Sequence, residues 1–284
     1  MDYTKKAYAK INLSLDVLSK RADGYHEVSM LMHQITLADT VSLSLTDEKD
    51  IILTSNSDKI PTDERNIAYR AAKLLLDEFH IKQGVKIHIE KNIPIAGGLA
   101  GGSTDAAAVL MLLNEALELK LSKEELMSLG LRLGADVPYC IFGLPAHAEG
   151  IGEKLTTICG LPECKILIVN PGVEISTKEI YEKIDSYTDR RPVDNKAIIS
   201  ALSRGNLIEA SARMENIMQP VAAAQCHQIT EIIQKLKEFG AIHAMMSGSG
   251  ATCFGIFDIE CNLSGADKLF DNFIVKEAYP YYGD

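Results

Sequence analysis

The sequence predicts an α+β protein of two domains. Runs that alternate apolar and polar residues, typical of half-buried strands, are interspersed with longer runs of helical periodicity. A length of 284 residues allows two domains of ordinary size. The character of the chain changes after Gly150. We therefore expect an N-terminal domain over residues 1–158 and a C-terminal domain over residues 159–284.

Composition narrows the class of protein. The chain is 46% hydrophobic and 24% charged, as ordinary globular proteins are, and its net charge of −10 argues against a nucleic-acid partner. Six cysteines without C-x-x-C spacing predict free thiols rather than disulfides or a metal centre. No signal peptide and no apolar run of ~18 residues is evident, so we expect a cytoplasmic protein without membrane contact.

The N-terminal segment predicts strands. Residues 5–18 alternate, which predicts a strand with one buried face and with Lys10, Asn12 and Ser14 on the other. Asp-Gly at 23–24 predicts a tight turn, followed by separate strands at 28–35 and 41–45. Tyr25 and His26 flank that turn, where an aromatic residue more often packs than binds.

The next elements lead to a glycine-rich stretch. We expect a short strand at 50–55, an amphipathic helix at 66–79 and a strand at 85–89. Residues 94–108 then hold Gly97, Gly98, Gly101 and Gly102, followed by Ser103, Thr104 and Asp105, which favour a helix N-cap. The sequence predicts a helix from Ser103 to about residue 119.

Such a loop in front of a helix N-terminus is suited to an anion, and above all to a phosphate. It does not match the G-x-x-x-x-G-K-[ST] pattern, because Gly102 is followed directly by Ser103. It also lacks the glycine order of the G-x-G-x-x-G pattern. A glycine-rich turn without a ligand is the alternative.

Two capping boxes mark later helices. Ser122 with Glu125 opens a helix that ends near residue 134, after which Asp136 precedes Val137, which Pro138 should keep out of a helix. From spacing alone, Asp136 is either a structural hydrogen-bonding group or a catalytic one.

The C-terminal part predicts a split βαβ layer. A strand at 165–169 precedes helices, of which one is opened by Ser176 and Glu179 and carries Thr177 and Tyr181. A helix at 225–239, a turn around Gly248–Gly250, a strand at 253–257, a helix at 264–272 and a strand at 273–278 follow.

Three motifs in this order resemble the GHMP kinase superfamily: Lys10-Ile-Asn12, the glycine-rich stretch and Ser-Gly-Ser-Gly-Ala-Thr at 247–252. The resemblance spans nearly the whole chain and includes residues 21–26, 133–138 and 149–153. It implies a two-domain kinase fold, with an ATP-binding N-terminal domain of mixed sheet and helices and a ferredoxin-like C-terminal domain on the substrate side.

The resemblance also implies an ATP- and Mg²⁺-dependent phosphoryl transfer to an alcohol. Asp136 would be the general base, and Lys10 would keep it ionised and stabilise the transferring phosphoryl group. ATP binding would fall to Pro94, Ala96, Gly97, Gly98, Leu99, Ala100, Gly101, Gly102, Ser103 and Thr104, with Asn66 and Lys91 near the adenine.

Within the superfamily, residues 20–26 resemble a branch whose acceptor is a methylerythritol carrying a cytidine diphosphate. Tyr25 and Tyr181 would then sandwich the cytosine and His26 would bond its edge. The remaining implied substrate residues are Asn12, Thr177, Gly248, Ser249 and Gly250. The protein would be a monomer or a homodimer that binds a small molecule, and rival hypotheses are a homoserine- or mevalonate-type kinase and a non-catalytic nucleotide-binding homologue.

Three positions depart from that branch. Tyr181 stands where the branch often has phenylalanine, which keeps an aromatic face and changes little. Met32 stands where the branch often has phenylalanine, which weakens one expected wall of the cytidine pocket. Asp105 replaces a residue that is often asparagine, and its expected effect is either added negative charge beside the loop or help in holding Mg²⁺.

Overall fold

The structure, a computed structural model, describes residues 2–186 and 191–283. The strands in this part of the chain are β1 (Asp2–Lys20), β2 (His26–Thr46), β3 (Ile51–Ser55), β4 (Gly84–Glu90), β5 (Ala146–Gly150), β6 (Lys154–Thr157), β7 (Lys165–Asn170), β8 (His243–Met246), β9 (Cys253–Phe257) and β10 (Ile274–Ala278). The helices are α1 (Ile67–Glu78), α2 (Gly101–Ala116), α3 (Lys123–Leu131), α4 (Val137–Phe142), α5 (Thr177–Ile184), α6 (Asn195–Ser203), α7 (Leu207–Ser211), α8 (Gln219–Ala223), α9 (Gln228–Glu238) and α10 (Ala266–Leu269).

The chain divides into two compact units that are interleaved in sequence. The first unit comprises Met1–Ala9, Ala38–Ile95 and Ala100–Gly143, and the second comprises Lys10–Leu37, Ala96–Leu99 and Leu144–Asp284. Strands β1 and β2 contribute residues to both units. The single division at 158/159 stays a prediction beside this arrangement.

The first unit contains the expected mixed sheet with helices. Residues Thr40–Thr46 of β2 pair antiparallel with β4, and β3 pairs parallel with β4. Helices α1 and α2 contribute most of the core, whose buried residues include Ala71, Leu75, Val109 and Leu113. Asn66 caps α1, and the expected amphipathic helix buries Ala68, Ala71, Ala72, Leu75 and Leu76.

The second unit contains the expected ferredoxin-like layer. Its four-stranded sheet has the order β10-β7-β9-β8 with every pair antiparallel, which is the order 4-1-3-2 of the split βαβ arrangement. Helix α9 packs on β8 and β9. The first half of β2 also pairs with β5, and β5 pairs with β6, a hairpin that the sequence analysis did not predict.

Three sequence-based expectations about strands and helices are wrong. The expected strands at 28–35 and 41–45 are one continuous strand, β2. The prediction that β1 has one buried face fails over residues 9–17, because residues on both faces are buried, Lys10, Asn12 and Ser14 included. Val137 is also helical, since Pro138 lies in the first turn of α4, where a proline is tolerated.

Candidate active site

The glycine-rich stretch leads directly into helix α2, whose N-terminus has no side-chain cap. Helix α2 begins at Gly101, and its N-cap is Ala100, which has a left-handed conformation with φ of 58° and supplies no cap hydrogen bond. The expectation that Ser103, Thr104 or Asp105 caps this helix is therefore wrong. The amides of the first turn point along the helix axis without partners inside the helix, at its positive end.

The side chains expected to cap α2 have other partners. The Thr104 hydroxyl donates a hydrogen bond to the Tyr8 carbonyl oxygen over 2.9 Å. The Asp105 carboxylate, 3% exposed, lies 2.8 Å from the Lys91 ammonium. Tertiary contacts thus hold these residues inside the helix and leave its first amides available.

Close backbone packing explains the glycine at position 98. Its φ is +76°, and a Cβ added there would lie 2.2 Å from the Ser247 carbonyl oxygen. The Ser247 hydroxyl in turn donates to the Gly98 carbonyl oxygen over 3.1 Å. The glycine-rich stretch and the Ser-Gly-Ser-Gly turn therefore contact each other directly within the second unit.

The Lys10-Ile-Asn12 strand joins the same contact. The Lys10 amide donates to the Leu99 carbonyl oxygen over 3.1 Å, and the Asn12 amide lies 3.4 Å from the Ser247 hydroxyl. The structure thus brings together residues from three motifs that are about 90 and 150 residues apart in the sequence.

Lys10 and Asn12 form a buried polar pair. They are 4% and 0% exposed, and the Lys10 ammonium donates to Asn12 Oδ1 over 2.7 Å. Asn12 Nδ2 lies 3.3 Å from the Met30 sulfur. Burial of an ammonium requires hydrogen-bonding partners, so these side chains are held in fixed positions.

Asp136 occupies the N-cap position of α4 in the first unit. Its backbone is helical, with φ of −83° and ψ of −15°, and its side chain makes no cap hydrogen bond. The residue is half-buried, so its carboxylate is partly accessible at the start of α4.

A second cluster lies in the second unit, between the turn after β1 and helix α5. The rings of His26 and Tyr181 stack with their centroids 4.9 Å apart and their planes at 25°. His26 Nε2 lies 2.7 Å from Asp185 Oδ1, and the other carboxylate oxygen accepts from Lys20 over 2.8 Å. The hydrogen bond from Lys20 above all, and then that from His26, lowers the pKa of Asp185.

Other predicted substrate residues lie in this unit as well. Tyr25 is 57% exposed, and the Thr177 and Ser249 hydroxyls lie 2.8 Å apart. Gly248 and Gly250 both have positive φ, at 58° and 92°. Met32 is fully buried in β2, so it acts on its surroundings through core packing rather than as an exposed wall.

Models of known protein families match two parts of the chain. Residues 66–144 match the model of the GHMP kinases N terminal domain, and residues 198–268 match that of the GHMP kinases C terminal domain. A protein of Clostridioides difficile named 4-diphosphocytidyl-2-C-methyl-D-erythritol kinase is 50% identical over 98% of this chain and 95% of the relative. One of the same name from Caldicellulosiruptor bescii is 47% identical over 93% of both chains.

The chain belongs to the GHMP kinase family.

Solved structures of this family share the fold. A 4-(cytidine 5'-diphospho)-2C-methyl-D-erythritol kinase is 30% identical with a TM-score of 0.83, over 99% of this chain and 100% of that one. A homoserine kinase from Cytophaga hutchinsonii, 19% identical over 99% and 95% of the two chains, has a TM-score of 0.77 and shows the fold alone.

A cavity in the first unit of this GHMP kinase adjoins two of the predicted ATP residues. It measures about 780 Å³ and is lined by residues 55–62 and Arg65. Asn56, in its wall, accepts a hydrogen bond from the Lys91 amide over 2.8 Å. The Asn66 side chain caps α1 through the Ala68 amide and donates to the Pro61 carbonyl oxygen, so it supports this wall from within.

Asp105 does not fit the role of a magnesium ligand. It is buried beside an ammonium, and burial above all, together with Asp39, raises the pKa of its carboxyl despite the nearby Lys91. A cluster of three or more carboxylate, histidine or cysteine ligands is also absent from residues 2–186 and 191–283.

Sequence reasoning missed two acidic residues with central positions. Asp39 accepts hydrogen bonds from the amides of Asn92 and Ile93 and pairs with Lys91, and Asp185 holds His26. Neither belongs to a recognisable motif, and each finds its partners at least 50 residues away in the sequence.

Across the described residues, no helix is both long and apolar enough to span a bilayer.

Proposed function

We propose that this protein transfers the γ-phosphate of ATP to the C2 hydroxyl of 4-diphosphocytidyl-2-C-methyl-D-erythritol, in the non-mevalonate route to isoprenoid precursors. The observation that carries phosphoryl transfer is the uncapped N-terminus of α2 at the end of the glycine-rich loop. The acceptor is supported by the relatives of that name at 47% and 50% identity over nearly their whole length.

ATP binding uses the main chain first. Amides from Gly97 to Ser103 point at the triphosphate, and the positive end of α2 favours its charge. Positive φ at Ala96, Gly98 and Ala100 turns successive amides toward one side of the loop, as in other anion-binding nests. A protein with a net charge of −10 needs such local donors to bind an anion.

The cavity lined by residues 55–62 takes the adenine. Its volume of about 780 Å³ lies in the range of small-molecule sites, ~300–1,000 Å³. The cavity adjoins the phosphate loop, by which we mean residues 91–100 in front of α2. Asn56, in the wall of the cavity, bonds the backbone of Lys91 at the start of that loop.

The chemical step needs one base and one cation. Asp136 accepts the proton of the C2 hydroxyl while the oxygen of that hydroxyl forms a bond to the γ-phosphorus. The bond between this phosphorus and the β,γ-bridging oxygen breaks, and ADP leaves. Lys10 stabilises the charge on the phosphoryl group, with its ammonium oriented by Asn12. Mg²⁺ bound to the nucleotide supplies further charge neutralisation.

The cytidine is recognised by aromatic stacking and one ring nitrogen. Tyr25 and Tyr181 supply faces for the cytosine, of which the exposed Tyr25 is the freer to move. A carboxylate beside His26 Nε2 favours a proton on that nitrogen, which leaves Nδ1 of the neutral ring as an acceptor. Asn12, Thr177 and residues 248–250 position the rest of the substrate.

Mass spectrometry of the product tests this proposal. The protein is incubated with ATP, Mg²⁺ and the cytidylated diol, and in parallel with homoserine or mevalonate as the acceptor. We expect a product heavier by one phosphoryl group with the cytidylated diol only. Equal turnover of an acceptor without cytidine would favour the small-alcohol alternative, and nucleotide binding without any product would favour a non-catalytic homologue.

A further inference from the structure

Three buried charges in the first unit connect the two ends of the phosphate loop. Asp39 of β2, Lys91 directly after β4 and Asp105 in α2 have side chains that are 0%, 5% and 4% exposed. The Lys91 ammonium pairs with the Asp39 carboxylate and lies 2.8 Å from Asp105 Oδ2. The three residues do not occur together in any of the motifs that resemble the GHMP kinase superfamily.

The entry to the loop depends on Asp39. Its Oδ1 accepts hydrogen bonds from the Asn92 amide over 2.5 Å and from the Ile93 amide over 2.9 Å. Both oxygens of Asp39 are therefore occupied, by two amides and an ammonium, and its charged form is well satisfied.

The exit from the loop depends on Lys91. Its ammonium reaches Asp105 in the second turn of α2, and a Cβ added to Gly101 would lie 3.3 Å from its Nζ. The Lys91 ammonium thus lies beside the start of α2 and bonds the carboxyl one turn further along the helix. The distance between entry and exit is set by this pair.

The cluster holds two carboxyl groups against one ammonium. Burying a surplus charge costs several kcal/mol, so a proton on one carboxyl relieves it. Asp39 has its donors, whereas Asp105 Oδ1 is buried without a hydrogen-bond partner among the described residues. The proton therefore belongs to Asp105, and burial, with the charge of Asp39, raises the pKa of that carboxyl.

We propose that Asp39, Lys91 and Asp105 are positioning residues that hold the two ends of the phosphate loop at a fixed spacing, and that ionisation of Asp105 weakens nucleotide binding. The inference rests on the proposed ATP site. The titratable groups acting on Asp105 are Lys91 from the end of β4 and Asp39 from β2. When Asp105 loses its proton, a net negative charge develops beneath the helix N-terminus that binds the phosphates.

The test compares Asp105→Asn with the parent protein. Asparagine keeps an oxygen for the Lys91 ammonium but does not ionise. We expect the KM for ATP of the parent to rise by about fivefold relative to the variant between pH 7 and pH 9.5, with the KM for the alcohol rising equally in both. Glu209→Gln, which neutralises an exposed paired carboxylate, is the control and should follow the parent.

A second variant separates positioning from stability. Asp105→Leu removes one of the two carboxyl partners of Lys91 and should raise the KM for ATP about tenfold at pH 7, an effect that Asp105→Asn does not share. Thermal melting of each variant at each pH shows how far it is folded. If Asp105→Leu does not fold, the comparison with Asp105→Asn decides alone.

Binding of a non-hydrolysable ATP analogue, measured by calorimetry, distinguishes two kinds of failure. If the analogue binds with the expected pH dependence while no phosphoryl transfer occurs, the proposed function fails and the role of the three residues stands. If the reaction proceeds and the ATP profiles of parent and Asp105→Asn are parallel, the inference is wrong. Unchanged ATP binding in folded Asp105→Leu would also overturn it.

Discussion

At the scale of single residues, the proposed chemistry depends most on Asp136. Asp136→Asn keeps the size of the side chain and removes its basicity. Since the substitution is isosteric, we expect the variant to fold normally and its kcat to fall by about 10²- to 10⁴-fold. Steady-state turnover with the cytidylated diol measures this.

The matched control for that variant is Asp63→Asn, which neutralises an exposed aspartate paired with Arg65. It should retain the parent kcat. A folded Asp136→Asn protein with turnover close to that of the control would remove Asp136 from the mechanism and leave the general base unassigned.

Gly98 offers a prediction about packing. In Gly98→Ala the new Cβ meets a backbone oxygen at 2.2 Å, and a φ of +76° strains any other residue. Gly172→Ala is the control, because its φ is +72° and nothing lies within 4 Å of its Cβ. We expect Gly98→Ala to lose about 2 kcal/mol more stability than the control.

Chemical denaturation of the two glycine variants measures that difference in the free energy of unfolding. The KM for ATP should rise in Gly98→Ala only, since a displaced residue 98 moves the amides of the phosphate loop. Equal loss of stability in both variants would mean that backbone strain, and not the contact with Ser247, requires glycine at position 98.

At the scale of elements, we propose that helix α5 and the turn after β1 form the cytosine site. Tyr25→Ala removes an aromatic face that is 57% exposed, so stability should change little. We expect the KM for the cytidine substrate to rise by about 5- to 100-fold, the range for loss of ~1–3 kcal/mol of base stacking, while the KM for ATP stays the same.

Tyr279→Ala, which removes a tyrosine that is 40% exposed in the same unit, is the control for loss of a surface aromatic. It should leave both KM values unchanged. An equal rise of both KM values in Tyr25→Ala would contradict the assignment of Tyr25 to the cytosine.

Elements with local signals could be predicted, and those fixed by distant contacts could not. Helix α3 is opened by Ser122 and Glu125, whose reciprocal hydrogen bonds lie within four residues of sequence, and it was found where expected. The start of α2 was missed because Thr104 and Asp105 look like caps, yet they bond Tyr8 and Lys91 instead. Such partners leave no local pattern.

Partners that are distant in the sequence also explain why β2 was predicted as two separate strands. Asp39 resembles a turn residue between two strands, but its charge is satisfied by Lys91, 52 residues later, and the strand continues through it. For β1, alternation predicts one buried face, and a polar opposite face gives no sign that it too is covered. The motif residues of the site were recognised from their order, whereas Asp39 and Asp185 required coordinates.

At the scale of the whole molecule, the two compact units are interleaved in sequence, because β1 and β2 contribute residues to both. The single boundary at 158/159, expected from the change in character along the chain, stays a prediction. The composition of a segment reflects its local environment, but it does not indicate which strand the segment pairs with. The split βαβ layer could be predicted because its strands at 165–169, 253–257 and 273–278 are separate apolar runs, whereas their order in the sheet required coordinates.

Stability of the whole protein should fall in acid because of a buried neutral histidine. His33 is fully buried, its Nδ1 bonds the Gln34 carbonyl oxygen over 2.7 Å, and its Nε2 has no partner among the described residues. Burial lowers the pKa of His33 to about 4 from its usual 6.5. Between pH 4 and pH 6.5 the unfolded chain binds a proton at this histidine that the folded protein does not bind. The contribution of neutral His33 to the free energy of unfolding is therefore complete above pH 6.5 and is lost as the pH falls toward 4.

The loss from His33 amounts to about 1.4 kcal/mol per pH unit, or ~3 kcal/mol in all. His33→Asn keeps a donor for the Gln34 carbonyl oxygen and does not titrate, so its unfolding free energy should be lower at pH 7.5 but fall less steeply between pH 6.5 and 4.5. Urea denaturation at intervals of one pH unit measures both slopes. His243, whose pKa burial also lowers to about 4, remains in both proteins and contributes equally to each curve. Parallel curves for the two proteins would show that His33 is not a source of acid sensitivity.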